Sequence, residues 1–461
     1  MTVIESRDLG RAAAAQGGRL RVENVHKADT GESEAFELER FEVFTADTRI
    51  TVHGPRGDEV LPPPANAYFR GVVAGRPDSR VFLAVLPDGR TQGVVNEGEE
   101  SYLIGGEDEP AAKALGAPLA MHRVEPGFLK ASRGEGFECG NSLLPPVRDN
   151  LAGLDFTAEP PAAVEKALAE ADTAALAAYT ARVAIETDYE FYSKFNNAAA
   201  ASTYIGNLIG YASVIYTAEI NTSLTVQSIS LWTTSDDPWN QTTGLCGLLE
   251  FGRYWNKNKT DVSRTIAHFM SGRPTGGGVA WLGVLCSGAF SASGSCSGIP
   301  TDAPWGGGYG FTGGMSGTFN IANPTVMWDI MAVSHEIGHN FNSPHTHCYN
   351  GVGGNASPVD QCRTGESGCF AGTQSLPGPA GAGSGTIMSY CHLLSGGFSN
   401  ISLTFGTNHP YGVQPGRVPS RMSAYVASRA ASNPSCLAPA APTVPAIFSD
   451  GFESGGSAAW H

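Results

Sequence analysis

The stretch from His335 to His345 constrains the fold of this chain more than any other part of the sequence. It reads HEIGHNFNSPH, so three histidines stand at positions i, i+4 and i+10. Positions four apart lie on the same face of a helix, and His335 and His339 can therefore point at one ion. His345 can join them only if the helix ends and the chain turns back. The pattern predicts a helix, a sharp turn and a metal site.

The residues between the second and third histidines supply that turn. Asn342 tolerates a left-handed backbone better than most residues do, and Pro344 prevents the helix from resuming. Three neutral imidazoles leave a fourth position for water on a tetrahedral zinc ion, which is typical of a catalytic rather than a structural zinc site. Glu336 lies beside the first histidine, where it is suited to act on that water.

This stretch resembles the metzincin signature of zinc endopeptidases, H-E-x-x-H-x-x-G-x-x-H followed by a methionine turn. Asn342 stands where the family has glycine. Residues 385–390, GTIMSY, resemble the methionine turn, and the resemblance places Met388 beneath the zinc site. It implies an α+β catalytic domain, with a mixed, mostly parallel twisted sheet, an active-site helix and a loop-rich C-terminal subdomain.

The implied reaction is hydrolysis of peptide bonds by a zinc-activated water, with Glu336 as the general base. The implied zinc ligands are His335, His339 and His345. His347 is a rival third ligand, but its spacing fits the family pattern less well. We expect His347 and His392 to be surface residues or neighbours of the ligands.

Tyr390 stands two residues after Met388, which is the spacing seen in the astacin and serralysin branches of the family. There such a tyrosine can approach zinc as a fifth ligand and contact the oxyanion. A core tyrosine in a turn explains the residue equally well. Thr346 follows the third histidine, where true reprolysins usually have aspartate, so the branch stays open.

The charge of the chain is unevenly distributed. The 461 residues carry a net charge of −15, which argues against nucleic acid as a partner. Residues 1–181 contain 29 acidic and 18 basic side chains, whereas residues 182–436 contain 13 and 11. This change predicts two domains. The sequence has no apolar run long enough to predict a membrane span.

The nine cysteines divide in the same way. Cys139 is alone in the first half, whereas the second half holds Cys246, Cys286, Cys296, Cys348, Cys362, Cys369, Cys391 and Cys436. An even set predicts four disulfides and a secreted, extracellular protein, and buried free thiols in a cytosolic enzyme are the alternative. The close pairs Cys362–Cys369 and Cys286–Cys296 are the expected short loops. No signal peptide is visible at residues 1–7.

The first 140 residues contain short alternating runs that are typical of strands. Residues 68–80 resemble the propeptide of reprolysin-type (adamalysin-type) proteases, which implies that residues 1–140 are a β-rich propeptide and an inhibitor of the same chain. Cys139 could then act as a cysteine switch, with its thiolate in the open zinc position. A free or partner-bound thiol without that role is the alternative.

The remaining boundaries follow from composition and periodicity. Residues 141–178 are a predicted linker with the activating cleavage and an Ala-rich helix at 163–178. Residues 179–436 are the predicted catalytic domain, and residues 437–461 are a predicted Pro/Ala-rich linker and short tail.

The expected strands are 182–187, one within 221–234, 264–270 and 278–285. The expected helices are 198–218, one that begins at Asn323 and Pro324, and 421–431. Residues 278–286 resemble the edge strand above the cleft of the family, to which a polypeptide substrate could add as an extra strand.

Three functions fit the sequence. The first is a secreted zinc endopeptidase made as a zymogen, which acts on protein or peptide substrates. The alternatives are a non-catalytic zinc-binding adhesion or binding protein on the same fold, against which the intact Glu336 argues, and a zinc amidase. Acidic residues such as Glu186 could contribute to a calcium site, but no segment has the dense carboxylate spacing that would indicate one.

Overall fold

A computed structural model describes residues 1–12, 18–105, 118–125, 138–144 and 178–439. These residues form two eight-stranded sheets and a small number of helices, so the predicted mixed α+β class is confirmed. The Ala-rich stretch at 163–177 and nearly all of the predicted tail lie outside the described residues.

The first sheet is built only from the N-terminal part of the chain. It contains β1 (Thr2–Glu5), β2 (Arg19–Lys27), β3 (Ser33–Phe41), β6 (Ala67–Val73), β7 (Arg76–Val85), β8 (Thr91–Glu97), β9 (Glu100–Ile104) and β10 (Ala120–Arg123). The strand order is β1-β2-β10-β9-β8-β7-β6-β3, and β2 also pairs with β3, so the sheet closes on itself. Its interior is filled by apolar side chains such as Val22, Phe36 and Val81.

The second sheet draws on both parts of the chain. It contains β4 (Phe44–Gly54), β5 (Gly57–Leu61), β11 (Tyr179–Thr187), β12 (Thr222–Trp232), β13 (Ile266–Met270), β14 (Gly278–Ala280), β15 (Tyr309–Thr312) and β16 (Ala438–Pro439). The order is β14-β15-β13-β11-β12-β4-β5, with β16 beside β11. Pairs β11–β12, β11–β13, β13–β15 and β12–β4 are parallel, whereas β14–β15, β4–β5 and β11–β16 are antiparallel.

The described helices are α1 (Leu9–Ala12), α2 (Tyr189–Tyr192), α3 (Ala198–Ile220), α4 (Gly244–Asn258), α5 (Val326–Asn340) and α6 (Arg417–Ser432). Among the described residues, no helix combines the length and the apolarity that a membrane crossing requires. Helix α4 is the one long helix in this part of the chain that the sequence reading did not predict.

Helix α3 lies between the two sheets. Its N-terminus is capped by Asn197, whose side chain accepts a hydrogen bond of 3.0 Å from the Ala200 amide. The helix carries glycines where the N-terminal segment packs closest: a Cβ atom at Gly206 would lie 2.6 Å from the Phe44 ring, and one at Gly210 would lie 2.6 Å from the Phe82 ring. The closed first sheet and the second sheet therefore share one apolar core across α3.

The sequence expectations for two elements near the histidine stretch are wrong in detail. The strand expected at 278–285 ends at Ala280, because the chain turns at Gly283 and Cys286, which have φ angles of 65° and 57°. Helix α5 begins at Val326, two residues after Pro324.

The expected disulfide loops are also wrong. The four disulfides are Cys246–Cys296, Cys286–Cys436, Cys348–Cys369 and Cys362–Cys391. Their partners are 21 to 150 residues apart in sequence, so the fold rather than local spacing brings them together.

Candidate metal centre

Helix α5 holds His335, Glu336 and His339 in the interior of the protein. All of its residues are buried, and it packs against β14, β15 and α3. Gly338 lies on the side of the helix that faces Met388, where a Cβ atom would be 2.6 Å from the Met388 sulfur. The absence of a side chain at Gly338 lets Met388 pack directly against the helix that carries the histidines.

The turn after α5 has the geometry expected from the sequence. Asn342 adopts a left-handed conformation with a φ of 72°. Its carbonyl accepts a hydrogen bond of 2.7 Å from Arg421 Nε. The last carbonyls of the helix are satisfied by the turn after β14, since the Gly283 amide donates to His339 and the Val284 amide donates to Asn340.

This turn brings the three histidine rings together. Their centroids are 4.8 Å apart for His335 and His339, 5.3 Å for His335 and His345, and 4.7 Å for His339 and His345. The Nδ1 atom of His335 lies 2.7 Å from the Ile387 carbonyl oxygen, and that of His339 lies 2.7 Å from the Ser343 carbonyl oxygen. Because a carbonyl only accepts, each Nδ1 carries the proton and each Nε2 keeps its lone pair.

His345 is oriented by a carboxylate instead. Its Nδ1 lies 3.0 Å from Glu366 Oε1 and 3.1 Å from Oε2. Its Nε2 is buried and has no hydrogen-bond partner among the described residues. A histidine ligand that donates its other ring N–H to a carboxylate is a common arrangement at zinc sites.

The donor set fits a zinc ion. One ligand atom each from His335, His339, His345 and Cys139 lies within 4.8 Å of the other three. Burial lowers the pKa of His339 to about 3 and that of His345 to about 4, so both imidazoles are neutral at physiological pH. Three neutral imidazoles and one sulfur form a typical tetrahedral donor set for zinc.

Glu336 lies beside this group without belonging to it. Its Oε1 is buried and has no hydrogen-bond partner within the described ranges. The carboxyl lies under Gly278 of β14, where a Cβ atom would be 2.4 Å from Oε1. Burial raises the pKa of Glu336, and a cation held by the histidines would lower it again.

Cys139 closes the open side of the histidine cluster. Its Sγ lies 3.3 Å from His339 Nε2 and 3.5 Å from Glu336 Oε2, and the residue is 4% exposed. It is the single cysteine of the chain that forms no disulfide. Burial and the nearby Glu336 carboxylate raise the pKa of this thiol.

The residues around Cys139 lie along the edge strand β14 as a short peptide, which we call the cleft segment (residues 138–141). The Glu138 amide donates to the Gly276 carbonyl at 3.3 Å, and the Asn141 side chain donates to the Ala280 carbonyl at 2.7 Å. The cleft segment and β14 therefore run in the same direction.

Tyr390 contacts the backbone of the cleft segment. The Cys139 amide donates to the tyrosine oxygen at 3.1 Å, and the tyrosine hydroxyl donates to the Cys139 carbonyl at 2.8 Å. The ring of Tyr390 lies 4.5 Å from that of His345, measured between centroids. The hydroxyl is therefore aimed at a peptide group that lies directly beside the histidine cluster.

Of two further residues near the site, one was expected from the sequence and one was not. His347 is fully buried, and its ring stacks on that of His345 at 5.6 Å between centroids, so of the two expected positions it takes the one beside a candidate ligand. Glu366, which the sequence analysis missed, lies between the two, with Oε1 3.5 Å from His347 Nε2. No local pattern marks Glu366, because the Cys348–Cys369 disulfide brings its loop to the histidines.

Residues 177–401 match the sequence model of the Metallo-peptidase family M12. The match covers the histidine cluster and Tyr390 but not Cys139. It supports a metal-dependent peptidase of the zinc type in general terms. No curated protein matches the chain.

Two solved structures show a distant resemblance. One is described as a chaperone–substrate complex, with 14% identity and a TM-score of 0.25; the match covers 37% of this chain and 25% of that one. The other is metalloproteinase-II from Bacteroides fragilis, with 9% identity and a TM-score of 0.33 over 78% of this chain and 92% of that one. This chain thus spans about a quarter of the first protein. Both scores are too low to define the fold.

Proposed function

We propose that this protein is a secreted zinc-dependent endopeptidase of the metzincin type that is made as a zymogen. The observation that carries the proposal is the convergence of three buried histidines with Cys139 Sγ on their open side. The four disulfides support an oxidising, extracellular location.

His335, His339 and His345 would hold the zinc, which supplies a water of lowered pKa and polarises the scissile carbonyl. Glu336 accepts the proton of the attacking water and passes it to the leaving amine. The main chain around β14 orients the polypeptide through hydrogen bonds, as the Gly276 and Ala280 carbonyls do for the cleft segment. The Tyr390 hydroxyl donates to the carbonyl of the peptide group beside the histidines and so stabilises developing negative charge on that oxygen.

The cleft segment makes the uncleaved chain inactive in this proposal. Cys139 occupies the side of the cluster that water would need, and Glu138 and Asn141 hold the segment in place. A cut in the predicted linker gives the segment a free end, so that it can leave the cleft. Cys139 thus acts as a cysteine switch, and residues 1–140 act as a propeptide.

The test uses the full chain with a specific protease site inserted in the predicted linker. We expect peptide cleavage to rise after the linker is cut, to require zinc, and to fall by at least about a hundredfold in Glu336→Gln. Zinc content should stay near that of the wild type in this variant, because Glu336 is not a ligand. Cys139→Ala should raise the activity of the uncleaved chain.

The outcomes separate the three functions. A cut wild type that binds zinc but cleaves no polypeptide would favour the binding protein, or the amidase if small amides are hydrolysed. A chain that binds no zinc would overturn the metal centre itself. If uncut Cys139→Ala and the uncut wild type have the same activity, the cysteine switch is excluded, whereas the peptidase proposal remains.

A further inference from the structure

We propose that Arg363 forms a cationic subsite beside the catalytic centre and that the enzyme therefore prefers substrates with an acidic residue next to the scissile bond. This inference rests on the proposed function and names a substrate class for it. The observation behind it is the contact that the cleft segment makes with Arg363.

The cleft segment is a peptide that lies where a substrate would lie. Cys139 has an extended backbone, with φ −80° and ψ 127°. Both its N–H and its C=O are hydrogen-bonded by Tyr390, and its neighbours bond to the main chain around β14. Side chains that flank Cys139 therefore indicate which groups the cleft accepts on each side of the reacting centre.

Glu138 is the side chain that meets a charged partner. Its Oε1 lies 3.0 Å from Arg363 Nη1, within ion-pair distance. Within the described part of the chain, no other carboxylate lies within 4 Å of the Arg363 guanidinium. When the cleft segment leaves, Arg363 loses this partner, and its charge is open to an acidic residue of an incoming polypeptide.

Arg363 is held in position by its surroundings. The guanidinium lies over the Tyr390 ring, 5.3 Å from its centroid, in a cation–π contact. The preceding residue is Cys362, which is buried and bonded to Cys391 next to Tyr390. The positive charge is therefore fixed relative to the hydroxyl that contacts the peptide beside the histidines.

The surrounding charges make this cation distinctive. Glu336 Oε2 lies 3.5 Å from Cys139 Sγ and Glu366 Oε1 lies 3.0 Å from His345 Nδ1, so both acidic side chains lie beside the histidine cluster. Residues 182–436 carry only 11 basic side chains in total. An acidic substrate residue placed beside the histidine cluster would be repelled, whereas one at Arg363 would be attracted. The preference should thus be confined to one position along the substrate.

The direction of the substrate decides which position this is. Glu138 lies toward the N-terminal end of β14, because it bonds to Gly276. A substrate that runs antiparallel to β14 would place a residue on the C-terminal side of the scissile bond at Arg363. A substrate that runs parallel, like the cleft segment, would place a residue on the N-terminal side there.

The solvent exposure of the Arg363–Glu138 ion pair sets the size of the expected substrate preference. The side chains of Arg363 and Glu138 are 32% and 56% exposed, so the pair is partly screened by water. Pairs of this kind contribute at most about 1 kcal/mol, which corresponds to a preference of about two- to fivefold. The preference should weaken as the salt concentration rises.

The experiment measures kcat/KM of the linker-cleaved enzyme on peptides that carry one Glu at successive positions on both sides of the scissile bond. Each peptide is compared with its Gln counterpart, and the Glu/Gln ratio is internal to each enzyme variant. We expect a ratio of about two to five at one position for the wild type, about one for Arg363→Gln, and below one for Arg363→Glu. Arg253→Gln, which removes a surface pair with Asp302, is the matched control and should keep the wild-type ratio.

A Glu/Gln ratio near one at every position in the wild type would overturn the inference, and so would a preference that survives in Arg363→Gln. Both results would leave the peptidase itself intact. If neutral peptides are not cut at all, or are cut equally well by Glu336→Gln, the proposed function fails instead, so the two failures are distinguishable.

Discussion

Glu366 shows how a single side chain can organise the candidate metal centre without being a ligand. It contacts Nδ1 of His345 at 3.0 Å, while its Oε1 also lies 3.5 Å from His347 Nε2. The two histidines hold the pKa of this carboxyl below its usual range, so it is ionised. An ionised carboxylate on Nδ1 makes the opposite nitrogen a better metal donor.

We therefore predict that Glu366→Gln weakens zinc binding by about tenfold, because the amide keeps a hydrogen-bond acceptor but loses the charge. Competition with a chelator measures this directly and does not depend on activity. Glu59→Gln, at an exposed position on β5, is the matched control. Equal chelator midpoints for Glu366→Gln and the wild type would contradict the positioning role.

The convergence of the three histidines was predictable from the sequence, whereas the positions of Glu366 and Arg363 were not. His335 and His339 lie on one helix, and Asn342 and Pro344 mark its end within a few residues, so local spacing carries the information. Glu366 and Arg363 reach the site through a loop fixed by two disulfides. Their positions depend on pairings that spacing alone could not predict.

At the scale of elements, β11, β12 and α4 meet at one buried carboxyl group. Glu186 on β11 accepts hydrogen bonds from the indole of Trp232 on β12 at 2.8 Å and from that of Trp255 on α4 at 2.9 Å. Burial raises its pKa from 4.5 to about 7. The residue thus serves as an internal acceptor between three elements rather than as a site for calcium.

This environment predicts a pH dependence of stability. Because the pKa of Glu186 is higher in the folded than in the unfolded chain, its contribution is fully present below pH 4.5 and is lost as the pH rises through 7. The loss amounts to about 3 kcal/mol. In Glu186→Gln, the unfolding free energy should therefore fall less between pH 4.5 and 7.5 than in the wild type.

Denaturant unfolding at the two pH values measures this difference. Asp188, whose pKa is raised to about 6 by burial, acts in the same direction, so only the comparison between variant and wild type isolates Glu186. Glu59→Gln serves again as the exposed control. Parallel pH profiles for wild type and Glu186→Gln would show that Glu186 does not titrate as proposed.

Elements with clear periodicity were predicted from the sequence, and those with ambiguous composition were not. The strand at 182–187, the helix at 198–218 and the strand within 221–234 correspond to β11, α3 and β12. Helix α4 was missed because its glycines lower helix propensity and suggest a loop. One of them, Gly252, is required by contact, since a Cβ atom there would be 1.9 Å from the Trp305 carbonyl oxygen.

At the scale of the whole molecule, the N-terminal part is joined to the rest in two separate ways. The cleft segment is held by a few hydrogen bonds and one ion pair. The hairpin β4–β5 and the closed sheet are held by the parallel pairing of β4 with β12, by the shared core around α3, and by an ion pair of 2.8 Å between Arg80 and the buried Glu219. The proposed inhibition by the cleft segment is therefore separable from the association of the two parts of the chain.

We predict that cutting the predicted linker leaves the two fragments associated even when peptidase activity has appeared. The reason is that β4 remains paired in the sheet. Size-exclusion chromatography after the cut should show both fragments in one peak. Arg80→Glu, which places a like charge against Glu219, should promote their separation, whereas Arg90→Glu, at an exposed local pair with Asp88, should not. Immediate separation of the wild-type fragments would refute this prediction.

The proposed division at residues 140 and 178 stays a prediction, but the sheet pairing could not have been foreseen. The hairpin at residues 44–61 pairs with β12, which is about 180 residues away in the sequence. Short-range patterns identify such a hairpin as a local unit and carry no information on its distant partner. The two halves of this chain thus differ in composition although they share one sheet.

The position of β4 in the sheet has a practical consequence for anyone who produces this protein. A recombinant chain that starts at residue 178 would lack two strands of its own sheet, and β12 would become an open edge with a bare apolar helix behind it. An open edge strand of this kind pairs with strands of neighbouring molecules and promotes aggregation. Supplying residues 1–144 in trans should restore the soluble form, since the missing hairpin would then come from a separate polypeptide.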